Sequence, residues 1–147
     1  MVSDLESHLG YWMRYVSNHV SHAFARKLAE EDVTVAEWAV MRLLLDKPAA
    51  PSQLAADMGM TRGAISKLAD RLIAKSLAVR TQDKQDGRAQ TLSLTAKGRT
   101  LTPKLALLAD KNDAVFFGHL STAERRHIER ILKDIVVRHG LLARPVD

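Results

Sequence analysis

Cysteine is absent from this 147-residue chain. Disulfide frameworks, thiolate metal sites and thiol-based redox sensing are excluded with it. Long apolar runs are absent too, since none approaches the ~20 residues that a membrane span needs. The first six residues carry two acids and no apolar stretch follows, so the N-terminus does not read as a secretory signal. A cytoplasmic protein is the expectation. There is no phosphate-binding Gly-rich loop of the Walker type and no His-Glu-x-x-His run. No nucleophile or acid–base set can be assembled, so neither an enzyme nor a resident cofactor is expected. Of the six histidines, His8, His19, His22, His119, His127 and His139, only His19 and His22 are placed to share a metal, one helical turn apart. A metal needs three or four such ligands, and none is expected here.

What is present reads as one globular domain, with 46% hydrophobic and 27% charged residues. The net charge of +5 is unevenly spread. Residues 1–59 sum to −3, residues 60–104 to +7 and residues 105–147 to +1. One basic block in a near-neutral chain points to a localised polyanion contact, although a solvated Lys/Arg-rich surface would show the same pattern.

Apolar periodicity predicts a long first helix over about 3–29, through Leu5, Leu9, Trp12, Val16, Val20, Ala23 and Phe24, with Ser3 and Glu6 at capping-box spacing. A second helix opens at Thr34 with Glu37 as its reciprocal cap and is apolar on most faces, as a central helix is. Lys47-Pro48 ends it. Pro51 suits a first helical turn. A short helix with Leu54, Ala55 and Met58 inside ends at Gly59, a left-handed cap. Thr61 then caps a helix that buries Ile65, Leu68, Ala69, Leu72 and Ile73. The period next becomes alternating, and 77–81 and 90–94 read as strands around a polar loop, 82–89, with an Asp-Gly turn signal. Thr95 caps a helix to about Gly118, with Pro103 inside it predicting a late start or a kink. Ser121 and Glu124 open the last helix, whose stripe is Ile128, Ile131, Leu132, Ile135 and Val136. That stripe, with Phe116, Phe117 and Leu120, is more apolar surface than a small lobe covers, which predicts an obligate dimer.

A short helix, a tight turn at Gly59-Met60 and a second helix make a helix-turn-helix plan. The outer face of the second helix, Arg62, Gly63, Ser66, Lys67 and Asp70, is slim and polar, as a major groove requires. An ordinary amphipathic surface helix has two faces as well. The hairpin that follows, with Lys84 and Arg88 in its loop, favours the DNA reading, because arginine suits a narrow, electronegative minor groove. The candidate DNA contacts are Ser52, Gln53, Thr61, Arg62, Gly63, Ala64, Ser66, Lys67, Arg71, Lys84 and Arg88.

Residues 61–72, then Leu77-Ala78-Val79-Arg80, then 83–88, then Leu92-Ser93-Leu94-Thr95-Ala96-Lys97-Gly98-Arg99 resemble the MarR family of bacterial transcription regulators. The likeness extends over nearly the whole chain. It implies a mainly α fold with a small two- or three-stranded β-wing: a winged helix-turn-helix lobe at about 34–94, with dimerisation helices at about 1–30 and 95–147. It also implies a homodimer on double-stranded, pseudo-palindromic operator DNA, and a repressor released by a small aromatic or phenolic effector. Where the family's wing often has Asp-Arg-Arg or Asp-Lys-Arg, Gly87 takes the first basic position here, and Arg88 keeps the second. The family's effector pocket lies where the first helices meet the DNA-binding lobe, which makes Trp12, Tyr15, His19 and Trp38 the candidate ligand contacts. Aromatic residues at helical spacing are equally the signature of a core. Two other classes remain, a protein-interaction module working through its terminal helices and an enzyme. A gel shift with the DNA upstream of the protein's own gene separates them from a regulator.

Overall fold

The computed structural model describes residues 1–82, 89–142 and 144–146. After a short 3-10 turn (Leu5–Ser7) come α1 (Leu9–Ala29), α2 (Val35–Asp46), α3 (Pro51–Met58), α4 (Arg62–Ala74), β1 (Ala78–Gln82), β2 (Gln90–Leu94), α5 (Ala96–Phe117) and α6 (Thr122–Arg138). Helix α2 is central and packs against α1, α4, α5 and β2. The core is an aliphatic cluster around Leu28, Met41, Leu44, Leu54, Met58, Ile65, Leu72, Leu92 and Leu105. Among the described residues no helix is long and apolar enough to cross a membrane.

Local chemistry accounts for most of the boundaries. Thr34 and Glu37 form a reciprocal capping box at the start of α2, and Ser121 and Glu124 form another at the start of α6. The Ser121 hydrogen bonds hold the Glu124 carboxyl below its ordinary range. Thr61 and Thr95 each accept a backbone N–H three residues on, at 3.1 Å. The strands are antiparallel, from Ala78 opposite Leu94 to Gln82 opposite Gln90. Ala49 exchanges two backbone hydrogen bonds with Leu92, at 3.0 and 2.8 Å, and so adds a single-residue third strand.

Three expectations are corrected. The first α-helix begins at Leu9 rather than near Ser3, and its cap, His8, makes no side-chain capping bond. The Trp12 indole N–H donates to the Glu6 carbonyl at 2.8 Å and the Ser7 hydroxyl to the Asp4 carbonyl at 2.6 Å, which fold the preceding turn back on itself. Helix α5 does not start late, because the Thr95 cap fixes its first turn and the helix runs through Pro103. The first strand begins one residue later than predicted because α4 ends in a tight reversal. There Ser76 takes a left-handed conformation, φ 61°, with the Ser76 N–H donating to the Ile73 carbonyl and the Leu77 N–H to the Leu72 carbonyl. Glycine is the usual residue in such a stop, and a serine costs about 1 kcal/mol there.

Every residue of α6 is exposed, and its stripe of Ile128, Ile131, Leu132, Ile135 and Val136 is 38–45% accessible. The first half of α1 is also exposed, including Leu9, Trp12 and Val16. The two terminal helices therefore carry much of the apolar surface that the described residues leave open.

Candidate nucleic-acid interface and ligand cleft

The turn between α3 and α4 is built on Gly59, at φ 63° and ψ 34°. The left-handed region is open to glycine without steric cost, and it lets the Met60 N–H donate to the Ala55 carbonyl at 2.9 Å. Thr61 then starts α4 at once. Ile65, Leu68, Ala69 and Leu72 anchor the inner face, which leaves Arg62, Gly63, Ser66, Lys67, Asp70 and Arg71 outside. Ala64 is half-buried, and its N–H is taken up by the Thr61 cap. Ser52 and Gln53 are exposed on α3, and Gln53 donates to Asp57 at 2.9 Å. Nine of the eleven candidate DNA contacts thus lie on the two helices or at their junction. Lys84 and Arg88 lie outside the described residues.

The basic block resolves into two groups. Lys75, Arg80, Lys97 and Lys104 are occupied by the protein itself. Lys75 pairs with the buried Glu37 at 2.9 Å, Arg80 with Asp70 at 2.8 Å and Lys104 with Glu31 at 2.9 Å, while Lys97 donates to the Lys75 carbonyl at 3.0 Å. Arg62, Lys67, Arg71 and Arg99 pair with no carboxylate among the described residues; the first three sit on α4 and Arg99 on α5. Composition could not separate these groups, because pairing depends on residues that are distant in sequence. Asp70 is neutralised by Arg80, from the first strand of the hairpin, so it adds little repulsion towards a polyanion and links the hairpin to α4.

Gly63 stands out within this face. A Cβ placed there would meet nothing within 4 Å. No packing among the described residues demands a glycine, yet glycine weakens a helix. Gly63→Ala should stabilise the folded chain by roughly 0.5–1 kcal/mol and at the same time weaken binding to operator DNA. Thermal melts and fluorescence anisotropy on the same samples check both signs. Unchanged affinity would show that no close backbone approach occurs at this position.

The candidate ligand residues divide into two places. Trp12, Tyr15 and His19 form an exposed ladder on α1, with Tyr15 stacked on His19 at 5.4 Å and on Trp12 at 6.4 Å. Trp12 and Tyr15 are about half exposed, so they are not core within one chain. Trp38 lies elsewhere, edge-on to Phe24 at 6.3 Å, in a cleft of about 280 Å³ between α1, α2 and α5. Val20, Ala39 and Asn112 line the same cleft. Asn112 is 3% exposed and donates through Nδ2 to the Val20 carbonyl at 3.1 Å, while its Oδ1 finds no donor among the described residues. Burying an unpaired acceptor is unfavourable. Sequence reasoning missed Asn112 because nothing local distinguishes it from a solvent-facing residue of α5.

Comparison with known proteins agrees with this geometry. Residues 31–89 match the MarR family. The chain is 26% identical over 106 residues to the transcriptional regulator HosA of Escherichia coli O157:H7, covering 71% of this chain and 78% of that protein. Among solved structures, a mutant E. coli MarR complexed with operator DNA superimposes with a TM-score of 0.78 at 22% identity, covering 87% of this chain and 93% of that one. CouR from Rhodococcus jostii RHA1, bound to p-coumaroyl-CoA, gives 0.79 at 24% identity, with 91% and 95% covered.

Proposed function

We propose, from its likeness to the MarR family of DNA-binding transcriptional regulators, that the chain is a member of that family, a homodimeric repressor released from a pseudo-palindromic operator by a small aromatic effector. The observation that carries the reading is the outer face of α4. Its three cations, which have no carboxylate partners among the described residues, and its open glycine project from a helix whose other face is locked into the core. In a two-fold dimer, two such helices enter major grooves about one helical turn apart. Each wing then lies over a flanking minor groove, where Arg88 is the proposed contact.

Dimerisation is supported by the apolar stripe of α6 and the bare first half of α1, which a monomer would leave in water. The effector is supported by the cleft. Trp38 and Phe24 offer ring faces, and the free Oδ1 of Asn112 accepts a hydrogen bond from a ligand hydroxyl. That a similar fold holds p-coumaroyl-CoA favours a ring-bearing ligand of this kind. The cleft lies against α2, which also packs on α4, so an occupant can change how the recognition helix is held.

The test is an anisotropy titration of the protein against the DNA upstream of its own gene and against random DNA, with sedimentation on the same samples. Arg62→Ala is expected to weaken operator binding by roughly 1–3 kcal/mol and to relax specificity, as the loss of a bidentate base contact does. Equal loss on both DNAs would make Arg62 a phosphate contact instead. A stable folded monomer at micromolar concentration would overturn the dimer.

A further inference from the structure

Beyond the end of α6 the chain returns to the cleft. Gly140, at φ 57°, stops the helix in the left-handed region, with the Leu141 N–H on the Val136 carbonyl at 3.0 Å. Further on, three consecutive residues touch the body of the protein. The Arg144 N–H donates to the Met58 carbonyl at 3.2 Å, Pro145 lines the cleft beside Trp38 and Asn112, and Val146 is half-buried against the hydrophobic core. Met58 is the last residue of α3, directly before the Gly59 turn. This segment therefore spans from the cleft to the helix-turn-helix.

We propose that the cleft is a docking site for the chain's own C-terminal segment, and that Arg144–Val146 competes with the effector for it. The competition rests on the reading of the cleft as an effector site. The docking itself rests on the three contacts. One hydrogen bond, the Pro145 contact and one half-buried valine do no more than offset the conformational entropy lost when three residues are ordered. The segment is therefore held weakly enough to be displaced. A ligand that evicts Pro145 also removes the Arg144 bond from the end of α3, so occupancy of the cleft is felt at the turn that positions α4. The concentration of ligand needed for release is then set partly by the tail, in inverse proportion to the fraction of chains with a free cleft.

The chain has two tryptophans, so Trp12→Phe in the full-length protein leaves Trp38 as the sole indole reporter. In that background, Val146→Asp detaches the segment and Val146→Ala loosens it. Acrylamide quenching of Trp38 should rise about twofold with Val146→Asp and less with Val146→Ala, with a red-shifted emission. Anilinonaphthalene sulfonate, followed by energy transfer from Trp38, should reach half-saturation at several-fold lower concentration in the detached variant. Unchanged quenching would overturn the docking, whatever the probe does. Raised quenching with unchanged probe affinity would overturn the competition. Raised quenching with no energy transfer in any variant would uphold the docking and remove the cleft as an effector site.

Discussion

Gly98→Ala is expected to lower stability by about 3 kcal/mol, the upper end of what overpacking costs, and the melting temperature by on the order of 10 °C for a chain of this size. A Cβ on Gly98 would sit 2.2 Å from the Leu77 carbonyl oxygen and 3.2 Å from Leu94 Cδ2. The oxygen cannot swing aside freely, because it already accepts the Thr95 N–H at 3.0 Å. Gly98 is also fixed on both sides, its N–H by the Thr95 hydroxyl and its carbonyl by the Thr102 hydroxyl at 2.6 Å. Relief therefore requires the first turn of α5 to move away from the base of the hairpin. The gain in helix propensity from alanine, under ~1 kcal/mol, is too small to offset this. Leu77 leads into β1, so operator affinity should fall as well, through misplacement of the hairpin. Thermal melts at fixed protomer concentration check the first effect and DNA titrations the second. A melting temperature within a degree or two of wild type would show that the junction yields easily.

What could be read from the sequence was what is local. The capping boxes at Thr34 and Ser121 use partners three residues apart, so both helix starts were visible. Gly59 announced its turn because few other residues tolerate that conformation, and the change of period from α4 to the hairpin located the strands to within a residue. The failures have a common cause in contacts that close over longer distances. The Ser3–Glu6 box lost to a bond from Trp12, six residues beyond Glu6. The basic block looked uniform, yet four of its cations are spent on carboxylates and carbonyls brought in from other elements. The aromatic residues of α1 and Trp38 of α2 were grouped by type, whereas the way α1 packs on α2 and α5 places only Trp38 in the cleft. Asn112 gave no local signal and Gly98 was visible only within the 92–99 run that resembles the family, since the importance of each depends on a single distant carbonyl, that of Val20 or of Leu77.

Lys75→Met should cost about 3–5 kcal/mol, as breaking one side of a buried ion pair does. Glu37 is fully buried, and its carboxylate meets Lys75 Nζ at 2.9 Å and the Thr34 N–H at 3.0 Å. Nζ also donates to the Asp32 carbonyl at 2.6 Å. One ammonium group thus ties the turn after α1 and the start of α2 to the end of α4. Burial pushes the Glu37 carboxyl up, but hydrogen bonds from Lys75 and Thr34 outweigh it, so the group titrates below its ordinary value of 4.5. In the wild type this depressed value contributes stability that is present above 4.5 and lost as the pH falls through the folded-state value. Methionine removes the cation and leaves burial opposed only by the Thr34 hydrogen bonds, which raises the Glu37 value above that of the wild type. The variant's deficit is then largest near neutral pH and shrinks towards acid, where the carboxyl is protonated in both states. Glu37→Gln in the Lys75→Met background should recover most of the loss, because the amide oxygen still accepts the Thr34 N–H and no charge remains to be buried. Urea denaturation of the wild type, the single variant and the double variant, from neutral pH to below 4.5, measures all three effects. If the deficit does not vary with pH, or the double variant is as unstable as the single one, Lys75 acts through packing of its aliphatic stem rather than through the charge it brings to Glu37.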